Sequence, residues 1–493
     1  MENRSKFYLK SCTQLSLSSQ ELEELIEKAK DWAVMHGLGL RPIANISKDS
    51  IQFAPFTLLP STLPKSEFEN VCELQPIFNM LIHKVAHDFQ FLKETLSPTV
   101  QVDDFTRRLF DIYETVYNEG PIQRVSLGLL RSDLLLDVSG FDGHQGIKEP
   151  FCCLKQVEIN TIASGMAWLG CIARKCHQFI FNELGLNDLL KYLPENNALN
   201  NICNGILEAW KIYNDPCAII LFIVEDFTVN ICDQRYHEFE IKQLNPNVKV
   251  IRKTLTQLAT EAKLGPNKEL IVNDKPVAVV YFRFGYAPEN YLGEREWNVR
   301  LLIERSLAIK SPSIQYHLAG TKKVQQALAK PNVLKRYLGK EETVVRVTKI
   351  FAGLYSLDAD ESGNVALEMA LNNPEKFVLK PQREGGGNNI YGSDIKIFLK
   401  SIKSREELKA WILMDKIYPP PQLNYFISAS DPTYLKPKEL VSELGIYGII
   451  IGDDKNIFYN KQGGHLMRTK RITSNEGGFM TGAAAVDSPF LTE

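Results

Sequence analysis

A lysine that ends an apolar run, followed by a proline and then three glycines, most constrains what this chain can fold into. The segment reads "KFVLKPQREGGGNNIYG" over residues 376–392, and Lys380 and Pro381 end its apolar run. Pro381 lacks a backbone donor and glycines accept conformations closed to other residues, so a strand followed by an open loop is predicted. Exposed N–H groups in such a loop suit phosphates. The alternative is a flexible surface hairpin, although hairpins rarely need Lys, Arg and Glu beside glycines.

The segment differs from two other phosphate-binding patterns. No Gly-Lys-Ser/Thr follows its glycines, so it is not a Walker A loop. The glycine spacing is also not G-x-G-x-x-G, and the lysine comes before the glycines instead of after them.

Length, charge and cysteine content exclude several classes of protein. A chain of 493 residues is too long for one core, so about two to three domains, or one α/β architecture with an inserted unit, are expected. A net charge of −2 argues against nucleic acid as a partner. The nine cysteines lack metal spacing and favour a reducing, cytoplasmic location, although a mature exported protein would look the same. The longest strongly apolar run, residues 217–224, is too short for a bilayer, so no membrane partner is expected.

The hydrophobic pattern divides the chain into three predicted domains. Helical periodicity dominates residues 1–216 and begins with an amphipathic helix whose capping box is formed by Ser18 and Glu21. Residues 217–320 predict strand, helix, strand and a hairpin at Asn273-Asp274, typical of an inserted α/β unit. Residues 321–493 combine strands with Gly- and Pro-rich turns. The fold class is therefore predicted to be mixed α/β.

Three oxygen-bearing side chains predict a metal site. Glu158 and Asn160 lie two residues apart on a predicted strand in "KQVEINTI", so both project from the same face. Mg²⁺ prefers oxygen ligands and commonly combines one or two carboxylates with substrate phosphates, so these two residues and the distant Glu384 form a candidate site. Taken alone, Glu-x-Asn is better explained as a solvent-facing strand edge.

Five basic residues are candidates for holding an anionic ligand: Arg131, Arg283, Lys322, Arg468 and Lys470. Arg468 and Lys470 share one strand face in "HLMRTKRIT". For each residue alone, a solvated surface charge is the simpler interpretation. The histidines and cysteines show no comparable grouping, which disfavours a zinc site or a Cys/His nucleophile.

Together these motifs resemble the eukaryotic glutathione synthetase family of ATP-grasp ligases. The likeness covers nearly the whole chain and is most specific in "KPQREGGGNN". Other matching segments are "LGLLRSD", "QVEINTI", "NICDQR", "YFRFGY", "LAGTKKVQQAL", "FAGLYSLD", "SELGIYG" and "HLMRTK". The resemblance implies an ATP-grasp fold with an inserted Rossmann-like substrate-binding domain, a Gly-rich lid and a homodimer. It also implies that ATP and Mg²⁺ are used to join γ-glutamylcysteine to glycine.

The resemblance also implies roles for individual residues. Mg²⁺ would be held by Glu158, Asn160 and Glu384. ATP would be bound by Glu158, Lys322, Lys380, Pro381, Gln382, Arg383, Glu384, Gly385, Gly386, Gly387, Asn388, Asn389, Tyr391, Met414, Asp415, Lys416, Ile417, Glu443, Lys470 and Glu476. The dipeptide and the acceptor amine would be bound by Arg131, Ser164, Asn230, Gln234, Arg283, Phe284, Gly285, Tyr286, Arg468, Phe479 and Met480. Catalytic roles would fall to Arg131, Gly385, Gly386 and Arg468.

Departures from the family pattern lie mainly where the substrates would bind. Phe284 stands where the family has an acidic residue, and "ASGM" alters the loop that carries Ser164. Phe479 and Met480 stand where two small residues border the glycine site in the family. Larger side chains would narrow that pocket.

Three interpretations remain open from the sequence. The first is an active ligase that makes glutathione or accepts a related donor or amine. The second is a nucleotide-binding protein without ligase activity. The third is an ordinary family enzyme whose differences, including the milder ones at Asp415 and Glu476, have no functional meaning. The first is preferred because the ATP and Mg²⁺ motifs are intact while the substrate loops are altered.

Overall fold

The structure is a computed structural model, and it describes part of the chain. The described residues are 8–42, 47–139, 154–384, 387–431, 433–475, 477–479 and 482–493.

Helices surround several β-sheets in this part of the chain. Its α-helices are α1 Ser19–Met35, α2 Lys65–Ala86, α3 Phe89–Val100, α4 Asp104–Glu119, α5 Ala167–Glu183, α6 Ala198–Tyr213, α7 Ile231–Leu244, α8 Leu255–Glu261, α9 Glu294–Glu304, α10 Ile314–Ala319, α11 Lys322–Leu328, α12 Val333–Leu338, α13 Glu341–Ile350, α14 Glu361–Asn372 and α15 Ser393–Ser401. Short 3-10 helices span Asn187–Tyr192, Pro288–Asn290, Pro374–Lys376 and Arg405–Ala410. None of these helices is both long enough and apolar enough to cross a membrane.

The described strands are mostly short, and five of them have seven or more residues. They are β1 Gly39–Leu40, β2 Gln52–Phe53, β3 Phe56–Thr57, β4 Ser61–Pro64, β5 Ser126–Leu136, β6 Leu154–Asn160, β7 Ile219–Ile223, β8 Val250–Lys253, β9 Ala262–Leu264, β10 Leu270–Val272, β11 Lys275–Phe282, β12 Ile309–Ser311, β13 Leu354–Ser356, β14 Phe377–Pro381, β15 Ile390–Tyr391, β16 Trp411–Asp415, β17 Gln422–Asn424, β18 Phe426–Ile427, β19 Lys438–Gly452, β20 Ile457–Arg471, β21 Ala484–Asp487 and β22 Pro489–Thr492.

The N-terminal helices begin where the sequence provides capping side chains. Ser18 and Glu21 form the predicted capping box of α1. Asp88 and Asp103 accept hydrogen bonds from backbone N–H groups in the first turns of α3 and α4. Because Asp88 starts a new helix, the helical pattern between α2 and α3 is interrupted there.

The largest sheet brings distant parts of the chain side by side. Its strand order is β18-β3-β21-β20-β19-β5-β6, and β17 also pairs with β19. β5 and β6 are antiparallel, with Arg131 opposite Asn160 and Asp133 opposite Glu158. On its other edge β5 pairs with β19, which in turn pairs with β20. This pairing places four sequence motifs on neighbouring strands, namely "QVEINTI", "LGLLRSD", "SELGIYG" and "HLMRTK".

A second sheet forms the predicted α/β unit. β8, β7, β11 and β12 are parallel neighbours, and β9 and β10 extend the sheet in antiparallel fashion. The hairpin between β10 and β11 turns at Asn273 and Asp274, whose φ angles are +52° and +55°. Asn and Asp tolerate this left-handed region better than most residues, which explains why the dipeptide predicted the turn. The domain boundaries at residues 217 and 320 stay a prediction.

A four-stranded antiparallel sheet carries the lysine and glycine segment. Its order is β13-β16-β14-β15, so β14 lies between β16 and β15. The predicted strand is present and continues one residue beyond Lys380. Pro381 still pairs with Trp411 on β16. Helices α14 and α15 pack on this sheet through a small core that includes Leu379, Ile395 and Leu413. Burial of each such side chain contributes about 1.5–3 kcal/mol.

Candidate active site

Lys322 lies between two carboxylates that are far apart in sequence. Its Nζ atom, in the first turn of α11, is 2.8 Å from Oε2 of Glu158 and 3.1 Å from Oε1 of Glu384. The lysine side chain is 6% exposed, and the two carboxylate side chains are 23% and 18% exposed. The fold therefore joins three residues predicted to hold metal and nucleotide.

The two carboxylates of this cluster differ in acidity. Burial raises the pKa of Glu384 to about 6, against the opposing charge of Lys322. Burial acts on Glu158 too, but the ammonium groups of Lys322 and Lys380 outweigh it and hold the pKa of Glu158 well below its ordinary value. The two carboxylates in turn raise the pKa of Lys322 despite its burial. As the pH falls, Glu384 is therefore protonated before Glu158.

The donor atoms around this cluster fit a hard cation. Glu158 and Glu384 both reach one positive charge, and Asn160 follows Glu158 by two residues on β6. Nδ2 of Asn160 donates to Oδ2 of Asp133 at 2.9 Å, so the amide oxygen is directed away from Asp133. Two carboxylates and an amide oxygen are ligands that Mg²⁺ prefers. Within the described ranges, no three His, Cys, Asp or Glu side chains form a metal cluster.

The residues just before the glycines are held by other elements of the protein. Nζ of Lys380 donates to the carbonyl oxygen of Val157 at 2.9 Å, and burial lowers the pKa of Lys380 although Glu158 opposes this. Oε1 of Gln382 accepts a hydrogen bond from the backbone N–H of Lys323 at 3.0 Å. NH1 of Arg383 is 2.5 Å from Oδ2 of Asp103. The start of the glycine segment is therefore connected to β6, α11 and α4.

Asp133 joins two guanidinium groups next to Asn160. Its Oδ1 is 2.6 Å from Nε of Arg131, and its Oδ2 is 2.8 Å from NH2 of Arg131 and 3.0 Å from NH2 of Arg468. Arg468 also forms an ion pair with Glu443, directly opposite it on β19. Asp133 is 1% exposed. The two arginines predicted to be catalytic thus share one buried carboxylate.

Lys470 lies beyond this ion-pair cluster on the same face of β20. Its Nζ donates to the carbonyl oxygen of Asn475 at 2.6 Å. A small cavity next to it is lined by Leu135, Val441, Glu443, Arg468, Lys470, Gly477 and Ala484. Glu443 and Lys470, both predicted to bind ATP, therefore line one cavity with Arg468.

Arg283 forms a separate buried ion pair with Asp233. NH2 of Arg283 is 2.8 Å from Oδ2 of Asp233, and the two side chains are 4% and 0% exposed. Burial would raise the pKa of Asp233, but Arg283 outweighs it and the pKa lies below its ordinary value. Asp233 also accepts hydrogen bonds from the backbone N–H groups of Met166 and Trp168 at the start of α5. This pair therefore fixes the loop that carries Ser164.

Gly165 lies between the Arg131–Asp133 ion pair and the Arg283–Asp233 ion pair. Its carbonyl oxygen accepts a hydrogen bond from NH1 of Arg131 at 3.2 Å and another from the hydroxyl of Tyr447 at 2.7 Å. A Cβ atom at Gly165 would lie 2.5 Å from NH2 of Arg283. A side chain at this position would therefore push the Arg283 guanidinium away from its present position.

Three further residues predicted to meet the dipeptide lie around these arginines. Oγ of Ser164 donates to the carbonyl oxygen of Leu129 at 2.8 Å. Nδ2 of Asn230 is 3.5 Å from Oδ2 of Asp233, and Oε1 of Gln234 accepts from NH2 of Arg252 at 2.7 Å. Each of these residues thus makes at least one polar contact within the protein, and their binding roles stay predictions.

The loop that carries Phe284 is held by its backbone. The backbone N–H groups of Gly285, Tyr286 and Ala287 all donate to Oδ1 of Asn290, each at 3.1 Å. Phe284 is half-buried, and its ring centroid lies 6.5 Å from that of Tyr286 in an edge-on arrangement. The large apolar residue noted in the sequence therefore sits directly after the Arg283 ion pair.

Phe479 is buried in an apolar cluster. Its side chain is 4% exposed and belongs to the apolar cluster that also contains Met166, Tyr447 and Val486. A ring buried in this way contributes to packing. Whether Phe479 also borders an acceptor pocket stays a prediction.

The remaining residues predicted to bind ATP lie on or near the four-stranded sheet. Met414 on β16 pairs with Val378 on β14 and is buried, and Asp415 accepts a hydrogen bond from the hydroxyl of Tyr355. Beyond them, the backbone N–H of Lys416 donates to the carbonyl of Lys376, and Ile417 is half-buried.

At the other end of the glycine segment, Gly387 has φ +80° and Asn388 follows it before β15. Nδ2 of Asn389 lies 3.3 Å from the hydroxyl of Tyr391. Tyr391 on β15 pairs with Val378 on β14. These predicted ATP contacts therefore share one sheet with Lys380.

Several predicted sites lie outside the described residues. They are Gly385, Gly386, Glu476 and Met480. Their assignments stay predictions.

Sequence reasoning missed two buried carboxylates. Asp133 follows Arg131 by two residues within "LRSD", and alternation along a strand already places both on one face. Asp233 lies in "NICDQR", but nothing local indicates that it pairs with Arg283. The first residue was detectable from strand periodicity, and the second needed the tertiary structure.

Known proteins of similar sequence and structure define the class of this chain. The model of the eukaryotic glutathione synthase ATP-binding domain matches residues 19–491. A solved structure of a glutathione synthetase-like effector from Globodera pallida superposes with a TM-score of 0.76 at 23% identity, covering 97% of this chain and 98% of that chain. At this identity the superposition supports the fold alone. Fold and family model together define a mixed α/β protein of the ATP-grasp class.

Curated relatives narrow this class further. The chain is 42% identical over 472 residues to the glutathione synthetase of Xenopus laevis, covering 95% of this chain and 97% of that protein. It is 41% identical over 473 residues to the glutathione synthetase of Homo sapiens, covering 96% and 97%. The chain belongs to the eukaryotic glutathione synthetase family, which confirms the resemblance seen in the sequence.

Proposed function

We propose that this protein is an ATP- and Mg²⁺-dependent ligase that joins the carboxylate of γ-glutamylcysteine to the amine of glycine. The products are glutathione, ADP and phosphate. The observation that carries the proposal is the position of Lys322 between Glu158 and Glu384, close to strands that carry two arginines on Asp133. Family membership supports the same reaction, because the curated relatives above are named glutathione synthetases.

Glu158, Asn160 and Glu384 are the residues that would hold Mg²⁺. Two of them already share one positive charge, and the third presents an amide oxygen. When bound, Mg²⁺ would neutralise the negative charge of the ATP phosphates. The Lys322 ammonium contacts the carboxylates of both Glu158 and Glu384.

The basic residues suit phosphoryl transfer, which depends mainly on positioning and charge neutralisation. Lys322 and Lys380 are buried ammonium groups next to Glu158, and we assign them to the ATP phosphates. Lys470 and Glu443 line the adjacent cavity and are assigned to the same nucleotide. Arg131 and Arg468 are assigned to the dipeptide, where guanidinium groups match a carboxylate through paired hydrogen bonds.

The reaction proceeds in two steps. A carboxylate oxygen of the dipeptide attacks the γ-phosphorus of ATP, and the bond to the β,γ-bridging oxygen breaks to release ADP. The glycine nitrogen then attacks the acyl carbon, phosphate leaves, and the nitrogen loses a proton as the amide forms. Exclusion of water by a closed glycine segment would protect the acyl phosphate from hydrolysis.

The choice of substrates is the most distinctive part of the proposal. Phe284 places an apolar ring after the Arg283 ion pair, where an acidic residue would accept hydrogen bonds. We therefore propose that turnover with γ-glutamylcysteine and glycine is weaker than with a related donor or amine. The homodimer that the family resemblance implies is also proposed, and light scattering of the purified protein would test it.

The reaction is tested by ADP release together with mass spectrometry of the product. ATP, MgCl₂ and γ-glutamylcysteine are combined with glycine or with alternative small amines. Release of ADP that requires the dipeptide, with an amide product of the expected mass, supports the proposal. Nucleotide binding without dipeptide-dependent ADP release would contradict it and favour a binding protein without ligase activity.

A further inference from the structure

We propose that Asp133 is a positioning residue that aligns Arg131, Arg468 and Asn160 for the ligase reaction. The inference rests on the proposed function, because it deepens the account of the same site. Asp133 has no predicted contact with substrate or metal. It acts instead through the three residues that its carboxylate holds.

The carboxylate of Asp133 is saturated by contacts with these side chains. Arg131 binds it through Nε and NH2 in a two-point interaction at 2.6 and 2.8 Å. NH2 of Arg468 and Nδ2 of Asn160 both reach its Oδ2, at 3.0 and 2.9 Å. Two-point guanidinium contacts fix the plane of the arginine as well as its distance. Asp133 therefore sets the orientation of Arg131 and limits the movement of Arg468.

The same carboxylate determines which end of the Asn160 amide is left for a ligand. Nδ2 of Asn160 also lies 3.4 Å from the carbonyl oxygen of Arg131, so its donors are directed toward β5. A carboxylate accepts hydrogen bonds and donates none, so the Nδ2 end of the Asn160 amide, and not its oxygen, faces Asp133. The amide oxygen is thereby kept for a cation. Outer groups that orient metal ligands commonly change metal affinity by about 10- to 100-fold when removed.

The neighbouring strand is shaped to admit this arrangement. Gly445 lies opposite Asp133 on β19. A Cβ atom at this position would lie 2.8 Å from Cδ of Arg131 and 2.9 Å from Oδ1 of Asp133. A side chain here would therefore displace the ion pair. The glycine is an independent sign that the position of the pair is constrained.

The main test is Asp133→Asn, which keeps the shape of the side chain but removes its charge. Asp431→Asn is the matched control, since Asp431 is also a buried carboxylate between two basic residues, Lys438 and Arg471. Four quantities are measured for each protein: the melting temperature, γ-glutamylcysteine affinity by calorimetry, Mn²⁺ affinity by electron paramagnetic resonance with a non-hydrolysable ATP analogue, and the kcat and KM of the ligase reaction.

We expect Asp133→Asn to weaken both dipeptide and Mn²⁺ binding by about tenfold or more. Asp431→Asn should lower the melting temperature to a similar degree with both affinities within about twofold of the unmodified protein. If Asp133→Asn lowers stability but leaves both affinities unchanged, Asp133 has only a structural role and the inference is wrong.

A second variant covers the case in which Asp133→Asn does not fold. Gly445→Ala keeps every charge and should displace the pair, with the same selective loss of dipeptide and Mn²⁺ binding. Unchanged affinities in a folded Gly445→Ala protein would overturn the inference. The reaction of the unmodified protein is measured first, so failure of the proposed function is recognised separately, and the binding measurements still decide the role of Asp133.

Discussion

Glu158 and Glu384 contact the same ammonium group, at Nζ of Lys322, although one lies on β6 and the other follows β14. Their pKa values move in opposite directions because burial dominates at Glu384, whereas two lysines dominate at Glu158. Two neighbouring carboxylates whose pKa values are shifted in opposite directions are typical of functional sites, where charged groups are placed to bind a ligand and not to stabilise the fold.

Glu384→Gln should therefore separate function from stability. The folded pKa of about 6 lies above the ordinary 4.5, so this carboxyl stabilises the protein at low pH and loses that contribution as the pH rises through 6. At pH 7 the variant should be as stable as the unmodified protein or more stable by up to about 2 kcal/mol. Mg²⁺-dependent turnover should fall by about 100-fold or more. Thermal unfolding at pH 5 and 7 and an ADP-release assay check both effects.

Glu375→Gln is the control for this experiment, since Glu375 is exposed near the same sheet. Glu375→Gln should change neither the stability of the protein nor its Mg²⁺-dependent turnover. Near-normal turnover in the Glu384→Gln protein would show that Glu384 is not a metal ligand.

Asp103→Asn should loosen the glycine segment while keeping helix α4. Oδ1 of Asp103 accepts from the backbone N–H of Thr106, and Oδ2 holds Arg383 at 2.5 Å. An amide oxygen can still cap the helix, but the charge attraction to Arg383 is lost. We expect faster proteolysis near residues 383–392 and a KM for ATP raised by about fivefold, or about 1 kcal/mol.

Asp88→Asn tests whether neutralising any helix-capping aspartate that pairs with an arginine has the same effects on proteolysis and on the KM for ATP. Asp88 also caps a helix, α3, and also pairs with an arginine, Arg336. This variant should leave both the cleavage near residues 383–392 and the KM for ATP unchanged. Equal effects in the two variants would mean that the Arg383 contact has no special connection to nucleotide binding.

Phe479→Val distinguishes a packing role from a role at the acceptor pocket. Because the ring is 4% exposed in a large apolar cluster, its truncation should lower the free energy of unfolding by about 2–4 kcal/mol. The KM for glycine should change little. Urea unfolding and steady-state kinetics measure the two quantities, with the exposed Phe239→Val as the control. A lower KM for glycine with little loss of stability would instead support the pocket role.

His83 should contribute to the loss of stability in acid. Burial, and then the neighbouring His87, lower the pKa of His83 to about 4. A lowered pKa means that the contribution is present above about pH 6.5 and is lost as the pH falls toward 4. Its ring bonds the hydroxyl of Tyr316 and the carbonyl oxygen of Asp453. His83→Gln should therefore reduce stability at pH 7 but flatten its fall between pH 6.5 and 4.

Melting temperatures across this pH range check the prediction. His36→Gln, at an exposed histidine, serves as the control substitution. A profile of the His83→Gln protein that runs parallel to that of the unmodified protein would exclude His83 as a source of the acid sensitivity.

Local features of the sequence determined much of the fold. The capping box at Ser18, the Asn273-Asp274 hairpin and the strand that ends near Lys380 all follow from contacts within a few residues. The combination of motifs, most specifically "KPQREGGGNN", also indicated the family.

The tertiary structure alone decided which charges meet. Antiparallel pairing of β5 with β6 and β19 brings Asp133 to Asn160 and close to Arg468, and α11 carries Lys322 to Glu158 and Glu384. It also showed that the Phe479 side chain is buried, which the sequence alone did not indicate. The physical reason is that periodicity reports only which face a residue occupies on its own element. The partner that compensates a buried charge comes from strand order and register, which long-range packing sets.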